Sequence, residues 1–342
     1  MRIYRDIIKS AWHILWHYAW LWPFGLFAAF LGNGGEYGSV VSAVDKVSQQ
    51  GDLLAGIRQA ILNHRLIDFV QGIKQAIDSA PAQIITTLFL MLVVVLGVIW
   101  IIIVSQAALI KASSNINENT PVTFNNAAIE GNQHFWPILL LNILSRFVIW
   151  LLLAVTILPF LISYLARGGG AEFDSYIIIS FLIFVPLAVI ISFIIKYAVI
   201  AVVLEKQSWW PALVKAINLF FRNWLVSLEM AAILFVINYI LSIVVYSLIA
   251  NSLLSAPLVF ALRGINLATV LKFLPQILLL MAVGAWFGTF QYAAWTILYR
   301  RLVSGQIMPK LIRLSDDIPN YLENWFRRNP ASLPKPKKSS TK

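Results

Sequence analysis

The chain of 342 residues is 60% hydrophobic and only 12% charged, whereas a soluble domain carries charge on about a quarter of its residues. That composition excludes a water-soluble globular protein and specifies an integral membrane protein, and the absence of cysteine excludes disulfide frameworks, thiolate metal sites and cysteine nucleophiles. The net charge of +11 is no sign of a nucleic-acid partner: ten of the 26 Lys and Arg residues follow Tyr299 and form a basic tail suited to anionic lipid headgroups.

In chain order, MRIYRDIIKSAWHILWHYAWLWPFGLFAAFLG has the outline of a signal peptide but lacks a small-x-small cleavage site. Its uninterrupted apolar core, Ala19 to Leu31, is short against the roughly 20 residues a span needs. The first span is therefore expected over residues 12–31, carrying His13 and His17 at its inner end. Residues 32–83 are water-compatible, and DLLAGIRQAILNHRLIDFVQGIKQAID puts Leu54, Ile57, Ile61, Phe69, Ile73 and Ile77 near one helical face. This predicts an extracytoplasmic helical loop lying on the membrane or capping the bundle.

Further spans are expected over residues 84–112, 136–164, 176–204, 224–250 and 274–299, giving an all-α integral membrane fold of six transmembrane helices within residues 1–303. The third and fourth join through the turn LARGGGAEFDS, and Pro186 should kink the fourth unless a neighbour satisfies the freed carbonyl. A semi-polar stretch with Arg263 and Lys272 precedes the sixth. Over 304–342, SDDIPNYLENWFRRN has an apolar face of Ile318, Leu322, Trp325 and Phe326 behind a Ser315 or Asp316 cap, which predicts an interfacial helix. The Pro-, Ser- and Lys-rich end after it is expected to be disordered.

Basic residues gather at the N-terminus (Arg2, Arg5, Lys9), before the fifth span (Lys206, Lys215, Arg222) and after the sixth (Arg300, Arg301, Lys310, Arg313). The positive-inside rule then places both termini in the cytoplasm and the chain in the cell's inner membrane. Arg263 and Lys272, on the outer side, fit this less well, as does the base-poor inner loop after Lys111.

One plan recurs along the chain. In PALVKAINLFFRNW the residues Leu213, Ile217, Phe220, Phe221 and Trp224 share a helical face, so the segment should lie in the interface, with Trp224 marking the turn into lipid. FNNAAIEGNQHFW repeats the spacing, Ala128 to Trp136 matching Ala216 to Trp224, and a looser copy runs from Ala11 to Trp20. Each unit closes on an apolar run with one polar residue: SQAALIKA at Gln106, IKYAVIAV at Lys196 and FQYAAWTIL at Gln291. The expectation is three tandem units of interfacial helix plus helical hairpin.

Chemistry is sparse. P-loop, zincin, nucleophile-elbow and dinucleotide signatures are missing from the sequence, so neither an enzyme nor a cofactor is expected. His13 and His17, four apart, are read as interfacial rather than as metal ligands, and Asp316 and Asp317 as helix-start residues. Ionisable groups inside spans are costly and should face the bundle. Arg146 lies ten residues past Trp136, about 15 Å deep at 1.5 Å per residue. Glu229 and Lys196 lie at comparable depths in neighbouring spans. Arg146, Lys196, Glu229, Gln106 and Gln291 form the expected buried polar network, either as structural ties or as a polar path.

The segments ALVKAINLFFRNW and FQYAAWTILYRRLVSG resemble those of bacterial six-span membrane proteins of the domain-of-unknown-function type. They are similar also to the membrane domain fused to some glycerophosphodiester phosphodiesterases, over roughly residues 1–304. That enzyme's catalytic domain opens on His-Arg-Gly, whereas His64-Arg65 here precedes Leu66, so the resemblance implies no activity. The expected function is a noncatalytic membrane protein that organises lipid or a partner protein. The alternative is a small transporter or channel with a polar site in the bundle, and a membrane enzyme is a distant third.

Overall fold

The computed structural model describes residues 2–30, 71, 81–167, 171–263 and 267–305. The expected extracytoplasmic loop, short of its last residues, and the expected interfacial helix and basic tail beyond Gly305 lie outside the described residues, as does the centre of the turn after Arg167. Among the described residues there are eight α-helices and no strand. These are α1 (Arg2–His17), α2 (Trp22–Ala29), α3 (Pro81–Asn117), α4 (Phe124–Gln133), α5 (Phe135–Arg167), α6 (Ala171–Glu205), α7 (Trp209–Arg263) and α8 (Leu267–Val303). Five of them, α3 and α5 to α8, are long and apolar enough to cross a membrane, the make-up of an α-helical membrane protein.

α1 is amphipathic. Tyr4, Ile7, Ala11, Ile14 and Leu15 are buried while Arg5 and Lys9 face out, the pattern of a helix lying along a bundle rather than through it. It stops at Tyr18, whose backbone leaves the helical region (φ −123°, ψ 56°). A single 3₁₀ turn, Ala19–Leu21, then leads to α2, which has proline in its first turn. The Trp22 indole N–H donates to the Leu15 carbonyl at 3.1 Å, satisfying an acceptor left open at the end of α1. This corrects the expected first span. No continuous helix starts at Trp12, and the eight residues of α2 measure about 12 Å. Apolar composition runs through both pieces and does not register the break between them.

Comparable breaks recur. Thr123 caps α4 by accepting from the Asn126 N–H, α4 ends at His134 (φ −103°, ψ 12°), and α5 begins at once. In α7 the break is Asn223 (φ −131°, ψ 29°), whose side-chain amide donates to the Leu219 carbonyl at 3.0 Å. Each break comes one or two residues before Trp20, Trp136 or Trp224, so the order of amphipathic helix, bend and apolar helix occurs three times, as the repeated sequence plan implies. α6 runs through Pro186 without ending. The semi-polar stretch before the sixth span is mainly helix: α7 continues to Arg263 and α8 starts at Leu267, because its Leu- and Ala-rich sequence favours helix over loop.

Packing is concentrated at one end. α2 packs on α8 and α3, α5 on α6, α6 on α7, α7 on α8 and α4 on α3, while α1 lies against α8. The last helices of the three units, α3, α6 and α8, also touch one another. Their packed halves supply much of the core, including Ile103, Ala107 and Ile110, Phe193, Tyr197 and Ala201, and Phe290, Ala294, Trp295 and Leu298. Away from that end, every residue of α3 from Ile85 to Ile101 is exposed. Two crossings are close enough to require glycine. A Cβ on Gly25 of α2 would stand 2.3 Å from the Ala285 carbonyl oxygen of α8, and one on Gly131 of α4 would stand 2.6 Å from the Val104 carbonyl oxygen of α3.

Candidate functional site

The polar residues that close the three units meet. Gln106 of α3, Lys196 of α6 and Gln291 of α8 line one cavity of about 10 Å³, together with Ile110, Ile200, Tyr292 and Trp295. That volume is room for about one water. Each reaches it by the same local logic: a single polar side chain in a helix of small and apolar residues, on the stripe that faces the other two closing helices.

Lys196 is 6% exposed. Its ammonium stands 4.8 Å from the centroid of the Trp295 ring and 5.9 Å from that of Phe193, so two aromatic faces favour the cation where water is thin. Gln106 is held by Asn142 of α5, whose side-chain nitrogen donates to Gln106 Oε1 at 3.2 Å and to the Ile138 carbonyl at 2.9 Å. The Gln291 Nε2 and Trp295 Nε1 atoms are buried without a hydrogen-bond partner.

The other two of the five expected residues, Glu229 and Arg146, are not among those that line the cavity. Glu229 is half-buried and its Oε2 accepts from the Tyr4 hydroxyl, which ties α1 to α7. Arg146 is exposed, a correction to its placement in a buried network. The buried stripe of α5 is Ile138, Leu141, Asn142 and Ser145, and Arg146, one step round the helix, falls on the outer flank beside Phe147. Depth along a span, which the sequence supplies, says nothing of rotation about its axis.

Near the ends of the closing helices, carboxylates pair with cations from neighbouring elements. Glu205 takes Lys215 at 2.5 Å, the Tyr299 hydroxyl at 2.7 Å and the Gln207 amide at 3.0 Å. Arg300 pairs with Glu118 and donates to Ser114 Oγ at 2.8 Å, and Lys111 lies 3.6 Å from Glu130. The Tyr197 hydroxyl and Ser227 Oγ are 2.6 Å apart. These groups lock the packed end. His13 and His17 are exposed and stack at 3.9 Å between ring centroids, and among the described residues no group of three His, Asp or Glu side chains could hold a metal.

Sequence reasoning missed Trp295, Asn142 and Tyr4. Trp295 follows Gln291 by four residues, the spacing that puts two side chains on one helix face, and Asn142 is a lone amide in an apolar run. Tyr4 had no comparable signal. Comparison of the chain with protein-family models, with curated proteins and with solved structures found no match in any of the three.

Proposed function

We propose that this chain is a noncatalytic multi-pass membrane protein that organises lipid or a partner membrane protein. The observation that carries the reading is the contrast between its ends. One is tied by Glu205, Glu118 and Glu130 to their cations, and the other exposes α3 from Ile85 to Ile101 on all sides. A helix apolar all round offers its surface to acyl chains or to another span.

In this reading the membrane is the cell's inner membrane and both termini are cytoplasmic. The chain crosses six times, and the basic tail rests on anionic headgroups. The likeness to bacterial six-span proteins belongs to the same reading and brings no activity. Reconstitution into vesicles with and without phosphatidylglycerol tests it. The vesicles should stay tight to ions and small solutes while the protein retains anionic lipid through purification; saturable solute flux would overturn it. A reporter fused after Tyr299 should appear in the cytoplasm, and an external signal would refute the orientation.

A second reading, a small transporter or channel, draws on the polar cavity among the three closing helices. The cavity's size, about 10 Å³, supports a packed bundle over a conducting path.

A further inference from the structure

The closing helices fix where the bilayer ends. Residues 84–104 of α3, 176–195 of α6 and 273–290 of α8 carry no charge and measure about 27–32 Å each, against a hydrocarbon core of about 30 Å. They stop beside Gln106, Lys196 and Gln291, so the hydrocarbon boundary falls where the packed end begins. α1 lies at that level: its Trp12 ring meets Trp286 and Phe290 of α8 at 5.4 and 6.2 Å between centroids, and Trp16 meets Trp22 and Trp286. Trp12 and Trp16 are 46% and 53% exposed, and exposed tryptophan at this level marks the headgroups.

Beside them runs a basic stripe. Arg5, Lys9, His13 and His17, spaced by four and all exposed, cover about 18 Å of α1, and among the described residues neither Arg5 nor Lys9 is in an ion pair. The leading helices of the other units lack such a stripe: the exposed polar residues of α4 are Asn125, Asn126, Asn132 and Gln133, and Lys215 of α7 is taken by Glu205. With neutral histidines the face of α1 carries Arg5 and Lys9 against Asp6. The His17 Nδ1–H donates to the His13 carbonyl at 3.2 Å, so Nε2 of the neutral ring can only accept, and only the protonated ring donates to a phosphate oxygen. The two rings stack at 3.9 Å between centroids, where two positive charges repel unless an anion stands beside them.

The neighbouring helices do not supply that anion. α1 packs against α8 and α3; neither helix contains Asp or Glu, α2 has no ionisable side chain, Glu118 is taken by Arg300, and Glu229 of α7 meets α1 at Tyr4. Of their remaining cations, Lys111 pairs with Glu130, and Lys272 and Arg301 lie toward the ends of α8. We propose, resting on the lipid-organising reading above, that α1 docks on anionic phospholipid headgroups through Arg5, Lys9, His13 and His17, and that the contact tightens as the histidines take up protons.

The test uses the full chain in phosphatidylcholine vesicles with a trace of phosphatidylglycerol made photoactivatable in its headgroup, cross-links being mapped to peptides and competed with unlabelled lipid. Label should fall on α1 and yield to phosphatidylglycerol but not to phosphatidylcholine. Its apparent affinity should rise about five- to twentyfold from about pH 8 to about pH 5. Arg5→Gln with Lys9→Gln should weaken binding about five- to twentyfold at both pH values, and His13→Gln with His17→Gln should remove the pH response and keep the affinity at the higher pH. All four side chains are exposed, so both variants should melt as wild type does. Label confined to the basic tail beyond Gly305 would overturn the site and leave the lipid-organising reading standing; label no stronger than that from a phosphatidylcholine probe would overturn both. A pH response that survives in the histidine variant would refute the proton linkage. Displacement by polyglutamate more readily than by phosphatidylglycerol would make the partner an acidic protein segment and overturn the proposal.

Discussion

The Gly25→Ala substitution tests the α2–α8 contact that joins the first unit to the last. An added Cβ would stand 2.1 Å from Thr289 Oγ1, 2.3 Å from the Ala285 carbonyl oxygen and 2.9 Å from the Thr289 amide nitrogen. The hydroxyl cannot turn away without giving up its bond to the Ala285 carbonyl at 2.8 Å, and the other two atoms are backbone. Bringing the carbonyl from 2.3 Å to ordinary contact at 3.4 Å parts the helices by about 1.1 Å. A gap of that size forfeits about a quarter to a half of the dispersion well at each contact along the crossing, and overpacking of this kind costs about 1–3 kcal/mol. Alanine's better helix propensity offsets up to about 1 kcal/mol, so a net loss of about 1–2 kcal/mol is expected.

Thermal unfolding in detergent reads this against two controls, Gly97→Ala and Gly284→Ala, where a Cβ meets nothing within 4 Å and stability should hold or rise slightly. Adding Thr289→Ala to Gly25→Ala removes the hydroxyl and leaves the carbonyl, so recovery should be partial. Wild-type melting of Gly25→Ala, or full recovery in the double variant, would refute the account of touching backbones.

Gly131→Ala should likewise destabilise, by about 1–2 kcal/mol, because its Cβ meets the Val104 carbonyl oxygen at 2.6 Å; faster hydrogen exchange over α4 is the second readout. Tyr4→Phe removes the donor to Glu229 and should cost about 1 kcal/mol, seen as earlier proteolysis of α1 rather than loss of the whole bundle. Glu205→Ala strands the buried Tyr299 hydroxyl at a cost of about 1–3 kcal/mol. That loss should be nearly independent of salt, since the half-exposed Lys215 partner contributes little.

Gln106, Lys196 and Gln291 were legible because each is the lone polar group at the same place in its unit, and a repeated chain plan sends equivalent positions to equivalent places. The bends were legible too, since Trp136 and Trp224 flagged where an amphipathic face gives way to an all-round apolar one. Arg146 was not, because hydropathy measures depth and the deciding variable was rotation of α5. The first span misled for a related reason. Trp12 to Phe30 is apolar enough to read as one helix, and the break rests on Tyr18 leaving the helical region and Trp22 reaching back to Leu15, neither visible in composition. The α2–α8 crossing needed knowledge of which helices are partners. Gly284 and Gly288 have the four-residue spacing of close helix pairs, yet only Gly288 lies against Gly25.

The same crossing sets a schedule for synthesis. Thr289 donates to the Leu21 carbonyl across 268 positions of the chain. At about 5–20 residues per second, a ribosome needs about 13–50 s to deliver the second partner after the first. Through that interval α2 has only α3 of its two main neighbours, and the notch at Gly25 stands open. The ring of helices closes with the last span to arrive, so a chain stopped before α8 leaves its first unit without the partner that fixes its position.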